Sequence, residues 1–162
     1  MKNNRFKTLD QIFEISQPQL IAELMAVGCP SEKISDAILL LRDTITSTLR
    51  SGLKNNKIND LVLLLNGAFE GNSTMQTITE EYASMLSLTL GVDGSTAEQT
   101  SHRLLPFALR ATGDYLPTSY LNKSGINSLL NFNSAAKPVI SKSNNTFSFK
   151  NILKGQFARF AS

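Results

Sequence analysis

The sequence predicts an all-α fold: a multihelical bundle of about six helices with a C-terminal tail that carries a short amphipathic helix. Apolar residues recur at helical spacing along most of the chain, and residues that start or stop helices separate the apolar stretches. The chain has 162 residues, of which 41% are hydrophobic, so it can build one packed core. It contains no run of about 18 apolar residues, and we therefore expect no transmembrane segment.

The first helix is predicted to begin after Thr8, because Thr8 and Gln11 have the spacing of a capping box. Pro18 is expected to break this stretch in two, since proline lacks the N–H that a helix interior needs. Ser16 or Gln17 would then cap the second piece.

The second helix has the clearest apolar stripe, and it is predicted to open at Ser31 and to end at Gly52. The stripe consists of Ile34, Ala37, Ile38, Leu41, Ile45 and Leu49. A short third helix is predicted at Leu61–Leu65, capped by Asn59 or Asp60 and central in the core, with a strand as the alternative.

Gly67–Gly71 is predicted to connect the third helix to a fourth, which starts at Ser73 or Thr74 and ends at Gly91. Its inward residues would be Ile78, Tyr82, Met85, Leu86 and Leu90.

Ser95–Glu98 has capping-box spacing and is predicted to open the fifth helix, which contains Pro106 and closes at Gly113. A short sixth helix would carry Ile126, Leu129, Leu130 and Phe132.

The domain organisation follows the charge and the apolar content. We expect a helical domain over residues 8–132, a polar linker over 133–146 and a basic, Phe-rich segment over 147–162. Residues 115–162 hold six basic residues and no acidic one, whereas the first 114 residues hold 10 basic and 13 acidic ones. This asymmetry is compatible with an anionic partner or with a solvated tail.

Residues that could perform catalysis are sparse. There is one cysteine, Cys29, and one histidine, His102, so the sequence predicts neither a metal site nor a serine triad. The carboxylate pairs Glu80/Glu81 and Glu32/Asp36 are interpreted as solvated helix faces or as complements of the helix dipole. No phosphate-binding glycine loop occurs. We therefore expect a protein that is not an enzyme and has no cofactor.

The first seven residues are basic, as in the start of a signal peptide. The following stretch contains Asp10 and Glu14, however, which is typical of an amphipathic helix and not of an apolar signal core. A cytoplasmic location is expected.

The C-terminal segment is the strongest candidate for a binding site. Its predicted apolar face consists of Phe149, Ile152, Leu153, Phe157 and Phe160. Its predicted basic rim consists of Lys150, Lys154 and Arg159. Such a helix can fill a groove of a protein partner, lie on an anionic membrane or stack on nucleic-acid bases. Folding back on its own bundle or self-association is favoured first, then a foreign protein partner, then a membrane surface, then nucleic acid.

Residues 58–110 contain an apolar helix that ends at Gly67, a helix that ends in Leu86–Val92 with a Leu-Gly-Val step, and a capped helix that carries Leu104–Leu109 with Leu-Leu-Pro. This stretch resembles the small YidB-like bacterial helical domains, in which a Leu-Gly-Ile/Val step precedes a helix with Leu-Leu-Pro. The resemblance implies a multihelical fold and brings no catalytic residues, because that family has no established function. The chain differs from the family in lacking its glycine-rich stretches and in its longer Phe-rich tail.

The sequence as a whole favours a non-enzymatic helical protein for protein–protein interaction or assembly, a scaffold component of a bacterial or phage system. The alternatives are peripheral membrane or nucleic-acid binding through the basic tail, or carriage of a small apolar ligand between the helices.

Overall fold

A computed structural model of the chain describes residues 7–135, and the side chains of residues 7–130 within them. The α-helices are α1 (Leu9–Ala26), α2 (Ile34–Lys54), α3 (Ile58–Leu65), α4 (Ser73–Leu90), α5 (Gly94–Asp114) and α6 (Lys123–Ala135). Two short 3-10 turns cover Ser31–Lys33 and Thr118–Tyr120. The predicted all-α multihelical fold is confirmed. The predicted tail helix lies outside the described residues.

Four of the helices form a ring. Helix α1 packs against α2 and α5, and α4 also packs against α2 and α5, so the α1/α2 side of the ring is opposite the α4/α5 side. Helix α3 contacts both α2 and α5, which are diagonal in this ring. Helix α6 packs on α1 and α2.

The core of the described residues is one continuous cluster of buried apolar side chains from Leu9 to Leu130. Two buried polar side chains connect α4 to its neighbours in the ring. The Tyr82 hydroxyl donates to the Ala37 carbonyl of α2 at 2.8 Å. The Ser101 hydroxyl of α5 donates to the Thr79 carbonyl at 2.5 Å. These bonds satisfy polar groups that would otherwise destabilise the core.

Helix α1 is continuous through Pro18, so the predicted break at this residue is wrong, as is the predicted cap at Ser16 or Gln17. Pro18 is exposed, whereas Ser16 and Leu20 on either side of it are buried. The helix therefore keeps its packing on both sides of the proline, and this packing outweighs the cost of about 3 kcal/mol that proline imposes on a helix interior.

The helix starts show which capping predictions were right. Thr8 and Gln11 form the predicted capping box, with Gln11 N–H donating to Thr8 Oγ1 at 3.2 Å. The predicted box at Ser95 is wrong, because Asp93 caps α5 by accepting from Thr96 N–H at 3.2 Å. Asn72 caps α4, which begins at the predicted Ser73.

Helix α3 has no side-chain cap, so the prediction of Asn59 or Asp60 in that position is wrong. The helix lies where two glycines allow a close approach. A Cβ on Gly52 would be 2.7 Å from the Leu61 side chain, and a Cβ on Gly113 would overlap the Leu65 carbonyl oxygen.

Gly52 and Gly113 were predicted as helix ends, but α2 continues to Lys54 and α5 to Asp114. Both glycines are therefore packing residues and not stop signals. The packed side of α3 buries Leu61, Leu64 and Leu65, while Leu63 on its outer side remains 47% exposed.

Candidate docking groove

The residues predicted to bind a partner are all outside the described residues. They are Phe149, Lys150, Ile152, Leu153, Lys154, Phe157, Arg159 and Phe160. The linker from residue 136 onward is outside them as well. Helix α6 continues through residues 133–135, where the linker was predicted to begin.

Cys29 and His102, two residues considered for chemistry, lie in different environments. Cys29 is buried in the loop after α1, and burial raises the pKa of its thiol; the charge of Glu32 raises it further, and that of Lys33 opposes the rise. His102 is exposed on α5. Within residues 7–135, no group of three or more His, Cys, Asp or Glu side chains is placed to hold a metal ion.

A groove of about 970 Å³ lies between α4 and α5. Its α5 wall consists of Gly94, Glu98, His102 and Pro106, which follow one another at intervals of four residues and so share one face of the helix. Its α4 wall extends from Met75 to Leu88. Residues 69–72 of the loop before α4 also line the groove.

Apolar side chains supply the floor of this groove. Met75 is buried, Ala83 and Pro106 are half-buried, and Leu88 is 45% exposed. Phe69 of the preceding loop adds an aromatic ring at one end. The Arg110 guanidinium carbon lies 5.2 Å from the centre of that ring. A floor of this kind can accept apolar side chains from a partner.

The rim of the groove is acidic. Glu70, Glu80 and Glu98 line it and are exposed, and its lining contains no lysine or arginine. Among residues 7–130, these three carboxylates have one polar contact, in which Glu80 Oε1 accepts a hydrogen bond from Gln76 Nε2 at 3.3 Å. The rim therefore offers negative charge to a partner.

A second groove, of about 570 Å³ between α1 and α5, has a different charge pattern. Arg103 and Arg110 line it together with Glu23 and Asp114, and Arg103 Nε is paired with the Glu23 carboxylate. Its positive and negative charges balance, so charge does not mark it for one class of partner.

The acidic groove was missed at the sequence level, although a signal for it exists. Between Lys57 and Arg103 the sequence contains six acidic residues and no lysine or arginine. This stretch supplies α3, α4 and the first part of α5, and nearly all of the groove lining comes from it. The net charge of the whole chain, +3, hides this local excess of negative charge.

Within residues 7–135, no helix combines the length and the apolar character needed to cross a lipid bilayer. Comparisons with protein-family models, with curated proteins and with solved structures found no match. The resemblance to YidB-like domains therefore stays a prediction.

Proposed function

We propose that this chain is a non-enzymatic helical protein for protein–protein interaction or assembly, and that it binds through the basic, Phe-rich segment 147–162. The observation that supports the proposal is the composition of this segment, which combines large apolar residues with three basic residues and has no acidic one. Within the described residues, the buried apolar cluster extends from Leu9 to Leu130.

The composition of the segment suits binding. Phe149, Phe157 and Phe160 are large aromatic side chains, the type that contributes most at the centre of interfaces. Burial of such a side chain is worth about 1.5–3 kcal/mol. Lys150, Lys154 and Arg159 add a positive rim, which selects acidic partners and speeds association.

The placement of the reactive residues agrees with a non-enzymatic role. Cys29 is buried and its raised pKa disfavours the nucleophilic thiolate. His102 is exposed, and the structure gives it no hydrogen bond to a nucleophile or to a carboxylate. The cytoplasmic location and the bacterial or phage origin stay predictions.

Light scattering coupled to size-exclusion chromatography tests the proposal, on the full chain and on a chain that ends at Ala136. We expect the full chain to associate and the shortened chain to be a folded monomer, with its helical content checked by circular dichroism. Association that persists in the shortened chain would refute a role for the segment.

Point variants of the full chain provide the matched comparison. Phe157→Ser together with Phe160→Ser should weaken association, because both remove aromatic surface from the segment. Leu63→Ser removes an apolar side chain that is 47% exposed on α3, and it should leave association unchanged. Equal effects of the two changes would indicate a general loss of surface hydrophobicity.

A second candidate is binding of an anionic membrane surface or nucleic acid, which the six basic residues of 115–162 favour. Sedimentation with vesicles of phosphatidylserine or of phosphatidylcholine, and titration with DNA and RNA, test it at low and high salt. Binding to phosphatidylserine or nucleic acid that is lost at high salt would support this candidate. An absence of binding to all of them would remove it.

A further inference from the structure

We propose that the groove between α4 and α5 receives segment 147–162 of a second copy of this chain, so that two copies exchange their segments and form a closed dimer. This inference rests on the proposed function and names the partner and the receiving surface. It depends on three features: the charge of the groove, the character of its floor and the position of α6.

Charge complementarity links the two surfaces. The groove has Glu70, Glu80 and Glu98 at its rim and neither lysine nor arginine in its lining. The segment has Lys150, Lys154 and Arg159 and no acidic residue. The groove lining carries three carboxylates, with Arg110 beside Phe69 at one end, and the segment carries cations. The predominant signs are opposite, so approach in this orientation is favoured over association of two grooves or two segments.

The apolar parts match as well. Met75 and Leu88 on the groove floor offer polarisable and aliphatic surface, and thioether sulfur makes favourable contacts with aromatic rings. The predicted apolar face of the segment carries three Phe side chains. A helix of residues 147–160 would be about 21 Å long, which fits within the length of about 27 Å of the 18-residue α4.

The position of α6 favours a second copy over the chain's own segment. Helix α6 packs on α1 and α2, whereas the groove lies between α4 and α5, the other two helices of the ring. A segment that folds back within its own chain must cross from one pair of helices to the other through the eleven residues 136–146, which span about 36–40 Å only when fully extended. The segment of a second copy is free of this constraint on its path.

Reciprocal exchange satisfies both copies at once. Each copy has one segment and one groove, so a two-fold arrangement fills both grooves and leaves neither segment uncovered. The assembly closes at two copies and does not grow further.

Charge reversal in the full chain tests this arrangement. Glu80→Lys with Glu98→Lys reverses the groove rim, and Lys150→Glu with Lys154→Glu reverses the segment. Either pair alone should weaken dimerisation by about tenfold or more, measured by sedimentation over a range of concentrations. Glu14→Lys makes the same type of charge change on the α1/α2 side, where Glu14 is exposed, and should leave the dimer intact.

Mixing the two variants separates exchange between copies from folding back within one copy. In an equimolar mixture, the native segment of the groove variant meets the native groove of the segment variant, and the two reversed surfaces also complement each other. At a concentration where each variant alone is mostly monomeric, we expect the mixture to form a dimer. Folding back within one chain predicts that mixing has no effect, and that result would overturn the inference.

The outcomes also separate this inference from the proposed function. If segment reversal dissociates the assembly but groove reversal does not, the groove is wrong and the binding role of the segment stands. If neither reversal and neither Phe substitution changes the assembly, both proposals fail. A full chain that is monomeric at every concentration overturns the dimer, whether or not the segment then binds a foreign protein or anionic vesicles. Circular dichroism of each variant shows that the helical body is folded.

Discussion

Polar side chains in the core of this bundle form hydrogen bonds of two kinds, within one helix or between two helices. Thr44, Thr79 and Thr112 are buried, and each donates its hydroxyl to the carbonyl four residues earlier in its own helix, at 2.6–2.8 Å. Such a bond satisfies the hydroxyl within its own helix. Among residues 7–130, of the three hydroxyls only that of Thr44 also has a polar contact to another helix, with Met85 Sδ of α4 at 3.8 Å. The hydroxyl of Tyr82 instead crosses to the Ala37 carbonyl of α2, so it specifies how two helices meet.

Replacement of Tyr82 by Phe should lower the free energy of unfolding by about 1–2 kcal/mol, because a hydrogen bond within the core is lost while the ring is kept. Urea unfolding followed by circular dichroism measures the change. Tyr115→Phe, at a tyrosine that is 36% exposed, is the matched control and should have little effect. Equal effects of the two substitutions would contradict the importance of the bond between α4 and α2.

Cys29 should react slowly with a thiol reagent in the folded protein and rapidly after unfolding in urea. Its side chain is buried, and burial raises the pKa of the thiol, so both access and the thiolate fraction are reduced. The chain has a single cysteine, which makes the reaction specific to this site. A folded protein that reacts as fast as the unfolded one would show that this loop opens readily.

Glu81 gives a prediction about pH. It lines a cavity of about 290 Å³ between α2, α3 and α4, and desolvation there raises the pKa of its carboxyl. A pKa that is higher in the folded state means that the folded chain binds more protons, so this group costs stability as pH rises above its unfolded pKa.

Glu81 is an exposed residue, and solvent weakens the effect of desolvation on its carboxyl. Glu81→Gln should therefore stabilise the protein only slightly at neutral pH and change its stability little at pH values where the carboxyl is protonated in both states. Urea unfolding of the variant and the parent at about pH 3 and about pH 7 measures this difference. Glu80→Gln, at the adjacent position of α4, which is also exposed, controls for removal of a carboxylate from this helix. A Glu81→Gln variant that is less stable than the parent at pH 7 would contradict the predicted sign.

At the scale of the helices, glycine has two distinct uses in this chain. Gly91 ends α4 in the left-handed region, with φ at 66°, a conformation that costs glycine little. Gly113 lies inside α5 with an ordinary helical backbone, and its lack of a side chain lets the end of α3 approach. The sequence alone does not distinguish these uses, because both residues follow an apolar periodic stretch.

Gly113→Ala should destabilise the protein by about 2–3 kcal/mol, because the new Cβ overlaps a backbone carbonyl oxygen, which cannot move aside like a flexible side chain. Gly94→Ala in the same helix is the matched control: its Cβ would meet nothing within 4 Å, so we expect no loss or a gain of up to about 1 kcal/mol. Urea midpoints of the two variants measure the difference. Similar stability of both would show that α3 can shift without cost.

The helical pattern was predictable because each helix has an apolar stripe with the right period. The helix boundaries were less predictable, because they depend on tertiary packing. Packing on both sides of Pro18 keeps α1 continuous, and contact with α3 explains two glycines that were interpreted as helix ends. The groove depends on which helices become neighbours in the ring, and periodicity within one helix does not contain that information.

At the scale of the whole molecule, charge is divided along the chain. Acidic residues without lysine or arginine occupy residues 58–102, and basic residues without acidic ones occupy residues 115–162. The basic tail is evident from the sequence because residues 115–162 contain no acidic residue, whereas the acidic stretch is hidden within the mixed charge of the first 114 residues.

Association of the full chain should weaken as sodium chloride is raised from about 0.05 to about 0.5 M, because salt screens attraction between oppositely charged surfaces. Light scattering at fixed protein concentration measures the change. The Glu80→Lys, Glu98→Lys, Lys150→Glu, Lys154→Glu combination restores complementarity with reversed signs, so it should show the same salt dependence as the parent. Association that strengthens with salt would indicate apolar contacts alone.

The ring also determines the order in which the protein can fold during its synthesis. In the ring, helix α1 packs against α2, which follows it directly in the sequence, and against α5, which is synthesised much later. At the usual rate of about 5–20 residues per second, α5 leaves the ribosome several seconds after α1. During that time the side of α1 that will face α5 lacks its native neighbour and stays accessible.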